Sequence, residues 1–198
     1  MQNNHPFRAL RFIPAALAAL FLLAAPAMAD VVRTVSTEYY LVEGTKPAII
    51  YKNLRHQSPL NEGDSTYQAN TRTDIRTTYK VEQRGDQCRI TDVVVYLHLT
   101  YLYPKLAHSV DFETRKWWKK FSAQLEKHEN IHGEISTKAA YKLSDALQGM
   151  APGDCYNYKS AIKVKIKQIM DKMKQDQVDY DNLTEHGLKQ QRNFGQYP

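Results

Sequence analysis

The sequence predicts an α+β domain in which a small antiparallel sheet, formed by the N-terminal half, packs on a long helix and a second helix. Runs of β-branched and aromatic residues are concentrated between residues 31 and 103. Apolar residues then recur at steps of three and four from Trp118 to Ala146, which is typical of an amphipathic helix. Since strands precede helices and no linker or internal repeat intervenes, we expect one domain over residues 30–198.

The N-terminal residues 1–29 have the pattern of a secretory signal peptide. Arg8 and Arg11 form a positive region, residues 12–23 are apolar, and residues 27–29 form an A-x-A cleavage site. The apolar segment is short for a spanning helix, which needs about 20 residues; an uncleaved anchor is the alternative. We therefore expect a periplasmic or extracellular protein without stable membrane insertion after cleavage.

The charge of the mature chain is ordinary for an exported protein. The full sequence has a net charge of +6; removing Arg8 and Arg11 leaves +4, because residues 1–29 contain no Asp or Glu. Scattered lysines without a recognisable motif do not indicate nucleic-acid binding, and we expect no nucleic-acid partner.

Cys88 and Cys155 are the two cysteines of the chain. In an oxidising compartment such a pair is expected to form a disulfide. Their separation is a poor match to a structural zinc site, which uses closely spaced pairs.

The predicted strands are residues 31–42, 48–54, 71–83 and 88–103, the last ended by Pro104. Residues 43–47 and 84–86 have turn compositions, and residues 57–64 are typical of a loop. Because the intervening loops are too short for crossover helices, we expect an antiparallel sheet.

The long helix is predicted to begin near Asp111, an N-cap residue, and to end before Gly149. Gly133 could mark a bend in it. A second helix is predicted over residues 158–178 from its apolar stripe. The tail, residues 179–198, is predicted to be extended or looped.

An H-E-x-x-H pattern, His128 to His132, lies on the apolar stripe of the long helix. Residues four apart share a helix face, so both imidazoles can bind one Zn²⁺ while Glu129 faces a metal-bound water as general base. The alternative is a pair of core histidines that are satisfied by hydrogen bonds.

A catalytic zinc site usually has three protein ligands, so a third is needed here. The extended pattern with a further glycine and histidine is excluded, because Ile135 and Lys138 occupy those positions. The residues alone leave four candidates, namely His186, His98, Asp181 and Glu185.

Several features together resemble a bacterial domain-of-unknown-function family that is predicted to comprise secreted zinc-dependent proteases. They are the secretory signal with residues 39–45 near the mature start, Trp117-Trp118, the H-E-x-x-H helix, the Cys88/Cys155 pair and the terminal segment 180–187. The resemblance spans roughly residues 35–194, and the H-E-x-x-H helix and the terminal segment are its most specific parts. One departure is in residues 188–191, where the glycine expected after the glutamine is absent.

The resemblance implies a zincin-like site with one Zn²⁺ per chain, and it favours His186 as the third ligand. We therefore expect a zinc metalloprotease acting on a protein or peptide substrate, with His128, His132 and His186 as ligands and Glu129 as general base. Tyr180 is a candidate oxyanion donor, as is Tyr141, and the strand ending at Tyr103 could pair with the substrate. The rival functions are a non-catalytic exported binding or structural protein and a zinc hydrolase of peptidoglycan.

Overall fold

The computed structural model describes residues 30–62 and 65–193, so the predicted signal peptide lies outside the described residues. The α+β fold class is confirmed. In chain order the elements are β1 (Asp30–Val42), α1 (Pro47–Gln57), β2 (Asn61–Glu62), β3 (Ser65–Thr66), β4 (Asn70–Arg84), β5 (Gln87–Leu106), α2 (Phe112–Gln148), β6 (Gly153–Asp154), α3 (Cys155–Thr184) and α4 (Leu188–Asn193).

The main sheet is mixed, which corrects the expected antiparallel arrangement. Its strand order is β1-β5-β4, and the short β6 also pairs with β5. The β4–β5 hairpin is antiparallel, but β1 runs parallel to β5 over its whole length. Short loops force an antiparallel arrangement only on strands that are consecutive in the chain. Between β1 and β5 the chain forms α1 and β4, which give it the length it needs to return in the parallel direction.

The helix-facing side of β5 forms the centre of the core. Val95, Leu97 and Leu99 alternate along the strand and are essentially inaccessible to solvent. Phe121 and Leu143 of α2 are fully buried in the same hydrophobic cluster. The sheet therefore provides a rigid support along the length of α2.

The predicted strand over residues 48–54 is wrong, because this segment is the helix α1. Pro47 stands in its first turn, where the missing N–H of proline is tolerated. Ile50 and Leu54, four residues apart, are both fully buried. Helical spacing buries both side chains on one face.

The predicted boundaries of α2 are confirmed. The Asp111 carboxylate accepts a hydrogen bond from the Thr114 N–H at 2.8 Å, and the helix ends at Gly149. The helix continues through Gly133, where the absence of a side chain allows the backbone to lie close to Tyr101. A Cβ at this position would lie 3.1 Å from Cζ of Tyr101 and still closer to its hydroxyl. The expected bend stays a prediction.

The second helix is longer than predicted, because α3 extends to Thr184 and the tail continues as α4. The prediction of an extended or looped tail is therefore wrong for residues 179–184 and 188–193. The predicted disulfide between Cys88 and Cys155 is present and joins the start of β5 to the start of α3. Among the helices of the described residues, none is long and apolar enough to cross a membrane.

Candidate metal centre

Three side chains that could together hold a metal ion meet where the end of α3 passes over the middle of α2. His128 and His132 are buried on one face of α2, and Asp181 comes from α3. The two Nε2 atoms are 3.1 Å apart, and Asp181 Oδ1 is 3.2 Å from that of His128 and 3.0 Å from that of His132. The three atoms thus form a nearly equilateral triangle.

The size of this triangle fits a zinc ion. Ligand atoms bound at about 2.0–2.1 Å in tetrahedral geometry lie roughly 3.3 Å apart. A single proton can bridge only one edge of the triangle, whereas a metal ion satisfies all three atoms at once. Two imidazoles and one carboxylate are also a donor set that zinc uses in catalytic sites.

Gln177 of α3 determines which nitrogen of His132 faces the centre. Its Nε2 donates to the His132 carbonyl oxygen at 3.1 Å and to Ser136 Oγ at 3.0 Å. Since that carbonyl can only accept, the Gln177 Oε1 is turned to His132 Nδ1 and accepts a hydrogen bond from it. The Nδ1 atom therefore carries the hydrogen, and Nε2 presents a lone pair to the centre.

Gln190 of α4 plays the corresponding part for His128. Its Oε1 is 3.1 Å from His128 Nδ1, and its Nε2 donates to the Tyr180 hydroxyl at 2.9 Å. With the amide in this orientation, His128 Nδ1 donates and Nε2 is free to bind a metal. Both histidines are thus held in the same tautomer by glutamine side chains.

Positive charge is favoured between Asp181 and the two imidazoles. Burial opposes the charged form of Asp181, but the hydrogen bonds that His128 and His132 donate from Nε2 when they are protonated hold the pKa of that carboxyl well below its usual range. Burial alone would lower the pKa of His132; the hydrogen bonds to Asp181 and Gln177 raise it overall. The carboxylate is therefore ionised and stabilises a cation beside it.

Glu129, the glutamate of the H-E-x-x-H pattern, is 5% exposed. Its Oε2 accepts a hydrogen bond from Thr71 Oγ1 of β4 at 2.7 Å. Burial raises the pKa of Glu129, although this hydrogen bond and the two imidazoles act in the opposite direction. A carboxylate whose pKa is raised is better suited to accept and return a proton.

His186, the expected third ligand, is not part of the triangle. Its Nδ1 is 3.5 Å from Asp181 Oδ1, its ring packs against Tyr67 at a centroid distance of 5.1 Å, and its side chain is 48% exposed. The structure instead brings Asp181, one of the carboxylate alternatives, to the two histidines. The reason is the extension of α3, which carries Asp181 along α2 while His186 follows after the helix ends.

The turn that follows α3 is tight and brings the backbone close to the site. Glu185, His186 and Gly187 all have positive φ, which is uncommon for the first two. A Cβ at Gly187 would lie 3.2 Å from Cγ of His128, so a side chain here would press on a candidate ligand. The turn places α4, and with it Gln190, against α2.

The other candidates lie elsewhere. His98 is exposed between the buried Leu97 and Leu99, on the sheet face away from α2, and bonds to Thr34. Glu185 does not join the group around the triangle. Tyr141 is 47% exposed and is not among the described residues that line the cleft at the triangle.

Tyr180 lies directly against both histidines. Its ring stacks on His128 at a centroid distance of 4.9 Å and meets His132 edge-on at 5.0 Å. Burial raises the pKa of its hydroxyl. The side chain therefore packs the imidazoles in place, and its hydroxyl accepts from Gln190.

A cleft of about 670 Å³ opens over the triangle. Its floor is α2, with His128, Glu129 and His132; one wall is the edge of β4 with the residues before it, and the other is α3 with the turn that follows. The described residues that line it include, besides the triangle and Glu129, Arg55, Thr66, Tyr67, Gln68, Ala69, Asn70, Thr71, Thr73, Leu125, Met173, Gln177, Val178, Asn182, His186 and Leu188. The candidate metal centre is thus reachable from solvent.

Sequence analysis missed three side chains that support the site, namely Gln177, Gln190 and Thr71. Gln177 and Asp181 are four residues apart on α3, a spacing that would have placed them together had the predicted helix not ended at residue 178. For Gln190 and Thr71 the sequence offers no local signal, because their contacts with α2 depend on the tertiary fold.

Comparison with known proteins places the chain in one family. No curated protein and no solved structure is significantly similar to the chain. A family model described as "Bacterial protein of unknown function (DUF922)" matches residues 37–187, a range that includes the triangle and the turn after α3. The chain therefore belongs to this family of bacterial proteins.

Proposed function

We propose that this protein is a zinc-dependent peptidase. The observation that carries the proposal is the triangle of His128, His132 and Asp181 in the floor of an open cleft, next to the buried carboxylate of Glu129. A structural zinc site is usually closed by four protein ligands, whereas three ligands in a cleft leave a position for a substrate or water.

Zinc bound here would act as a Lewis acid and lower the pKa of water at its open position to about 7. Glu129 takes a proton from the attacking water and returns it to the leaving amine. Thr71 fixes this carboxylate through Oε2, and Asp181 and the two histidines would hold the ion. His186, beside the triangle at the cleft wall, is placed to contact substrate.

An extended peptide fits the wall formed by β4. We expected the strand ending at Tyr103 to offer a free edge, but that strand is β5, which is paired on both sides. Of the strands described, β4 is the edge strand next to the site, and residues 70, 71 and 73 line the cleft. Unpaired backbone groups of an edge strand can bind a peptide by β-augmentation.

Export is part of the proposal. The Cys88–Cys155 disulfide is typical of proteins that fold in an oxidising compartment. Together with the signal-peptide pattern of residues 1–29, it supports a periplasmic or extracellular location.

The test compares purified residues 30–198 with three variants, for zinc content and for hydrolysis of casein. Glu129→Gln should retain about one zinc per chain and lose hydrolysis by roughly 10²–10⁴-fold. Glu134→Gln, the same change on the exposed side of α2, is the matched control and should behave as wild type. His132→Ala should lose both properties.

Retained hydrolysis in pure Glu129→Gln protein would contradict the mechanism. If the protein binds zinc and digests purified peptidoglycan but not casein, its substrate is peptidoglycan and not a protein. A folded wild type that binds no zinc would favour the non-catalytic binding protein.

For the ligand set, His186→Ala should keep its zinc, while Asp181→Asn should bind zinc more weakly. The reverse result would restore His186 as the third ligand.

A further inference from the structure

We propose that metal binding is coupled to the docking of the C-terminal segment, residues 185–193, through Gln190. The inference rests on the metal centre of the proposed function, and it adds that zinc completes one wall of the cleft. In this view the segment is docked when the site is loaded and is released more readily when it is empty.

The two glutamines that orient the histidines are attached very differently. Gln177 lies within the 30-residue helix α3, where its amide is also held by Ser136 and by the His132 carbonyl. Gln190 lies on α4, a helix of six residues that is joined to α3 by a turn with positive φ values. Within the part of the chain that the structure describes, its side chain forms hydrogen bonds with His128 and Tyr180, and both lie at the candidate metal centre.

A short helix of this kind has little stability of its own. Helices shorter than about 12–15 residues are marginal in water, so α4 depends on the contacts that it makes with the rest of the protein. Leu188 is 38% exposed and the Lys189 side chain is exposed. Among the described contacts, the segment is attached by Gln190 and by Gly187, which both lie against His128, and by His186, which packs on Tyr67. Docking of the segment is therefore sensitive to the state of His128.

Metal binding changes the strength of that attachment. An imidazole that gives its Nε2 lone pair to a cation becomes a stronger hydrogen-bond donor at Nδ1, and hydrogen-bond partners of metal-bound histidines typically contribute 10–100-fold to metal affinity. If Gln190 raises the affinity for zinc by such a factor, zinc must raise the docking equilibrium of the segment by the same factor.

The coupling has a consequence for the cleft. His186 and Leu188 belong to the segment and line the cleft wall opposite β4. Zinc loading would therefore fix the wall that contacts the substrate, so that the cleft is complete only when the metal is present.

The experiment measures two quantities in the mature protein, zinc affinity by competition with a chromophoric chelator and amide hydrogen exchange of residues 185–193 with and without zinc. Gln190→Leu removes the hydrogen bond at nearly constant volume. Gln177→Leu is the control, since it removes the corresponding bond to His132, together with the bonds to the His132 carbonyl oxygen and Ser136, without touching the segment. Gln190→Glu restores an acceptor for His128 Nδ1.

We expect zinc to slow exchange of residues 185–193 in the wild type by at least about 10-fold. Gln190→Leu should weaken zinc binding by 10–100-fold and lose this protection even at saturating zinc. Gln177→Leu should weaken zinc binding but keep the protection once saturated, and Gln190→Glu should recover both properties.

Equal exchange in zinc-free and zinc-loaded wild type would overturn the proposal, as would unchanged zinc affinity in Gln190→Leu. Hydrolysis is not the readout, so coupled zinc binding in a protein without peptidase activity would support this inference while contradicting the proposed function. A wild type that binds no zinc would overturn both.

Discussion

Replacing Gly133 by alanine tests how closely the sheet supports the metal centre. Gly133 follows His132 on α2 and faces β5. An alanine Cβ would lie 3.3 Å from Cδ1 of Leu99, 3.1 Å from Cζ of Tyr101, and well inside van der Waals contact with the Tyr101 hydroxyl. Tyr101 is 7% exposed and its ring stacks on Tyr103, so it has little room to move away.

The net effect follows from two opposing terms. Overpacking in a core costs about 1–3 kcal/mol, whereas glycine to alanine in a helix interior gains ~1 kcal/mol. We therefore expect Gly133→Ala to lower the free energy of unfolding, by up to about 2 kcal/mol. Since the displaced backbone carries His132, zinc affinity should fall as well.

Urea denaturation measures the change in the free energy of unfolding in a double-mutant cycle. The cycle comprises wild type, Gly133→Ala, Tyr101→Phe and the double variant. Tyr101→Phe removes the clashing hydroxyl, so Gly133→Ala should be much less harmful, or stabilising, in that background, with a coupling of about 1–3 kcal/mol. A Gly133→Ala protein at least as stable as wild type, or a coupling near zero, would refute the reasoning.

Two further predictions concern stability. The Cys88–Cys155 bond spans 67 residues, so changing both cysteines to serine should lower the free energy of unfolding by about 4 kcal/mol. A wild-type unfolding midpoint that is the same with and without reductant would contradict this. The Lys46 ammonium and the Thr114 N–H hold the pKa of Asp111 well below its usual range. The Asp111 carboxylate therefore stabilises the fold at pH values above its pKa in the unfolded chain, about 3.9, and this contribution is lost as the pH falls. Asp111→Asn, which keeps a capping side chain, should lower Tm at pH 7, and the difference should shrink below about pH 4 in thermal scans.

The helix pair was largely predictable from sequence, and the sheet was less so. The stripe through α2 and its Asp111 cap are local signals, and the structure has both. Residues 48–54 combine β-branched and aromatic residues with helical spacing, and a short run of this kind does not distinguish strand from helix. The parallel pairing of β1 with β5 joins strands distant in sequence, which no local pattern specifies.

Asp181, the third member of the triangle, belongs to a helical pattern that continues beyond the predicted end of α3. The apolar stripe of α3 runs through Ile162, Ile169 and Met173, and the helix predicted from it ends at residue 178, where the apolar residues end. The same steps of three and four lead on through polar residues, namely Gln177, Tyr180, Asp181 and Thr184.

These polar residues lie on the stripe that packs against α2, opposite the two histidines. A polar continuation of a buried stripe is costly unless its groups find partners. The same reasoning that singled out His128 and His132 on the apolar stripe of α2 applies equally to α3. Two helices that both become polar at the level where they meet indicate a site between them, and this pattern favours Asp181, on the helix stripe, over His186 in the tail as the candidate third ligand.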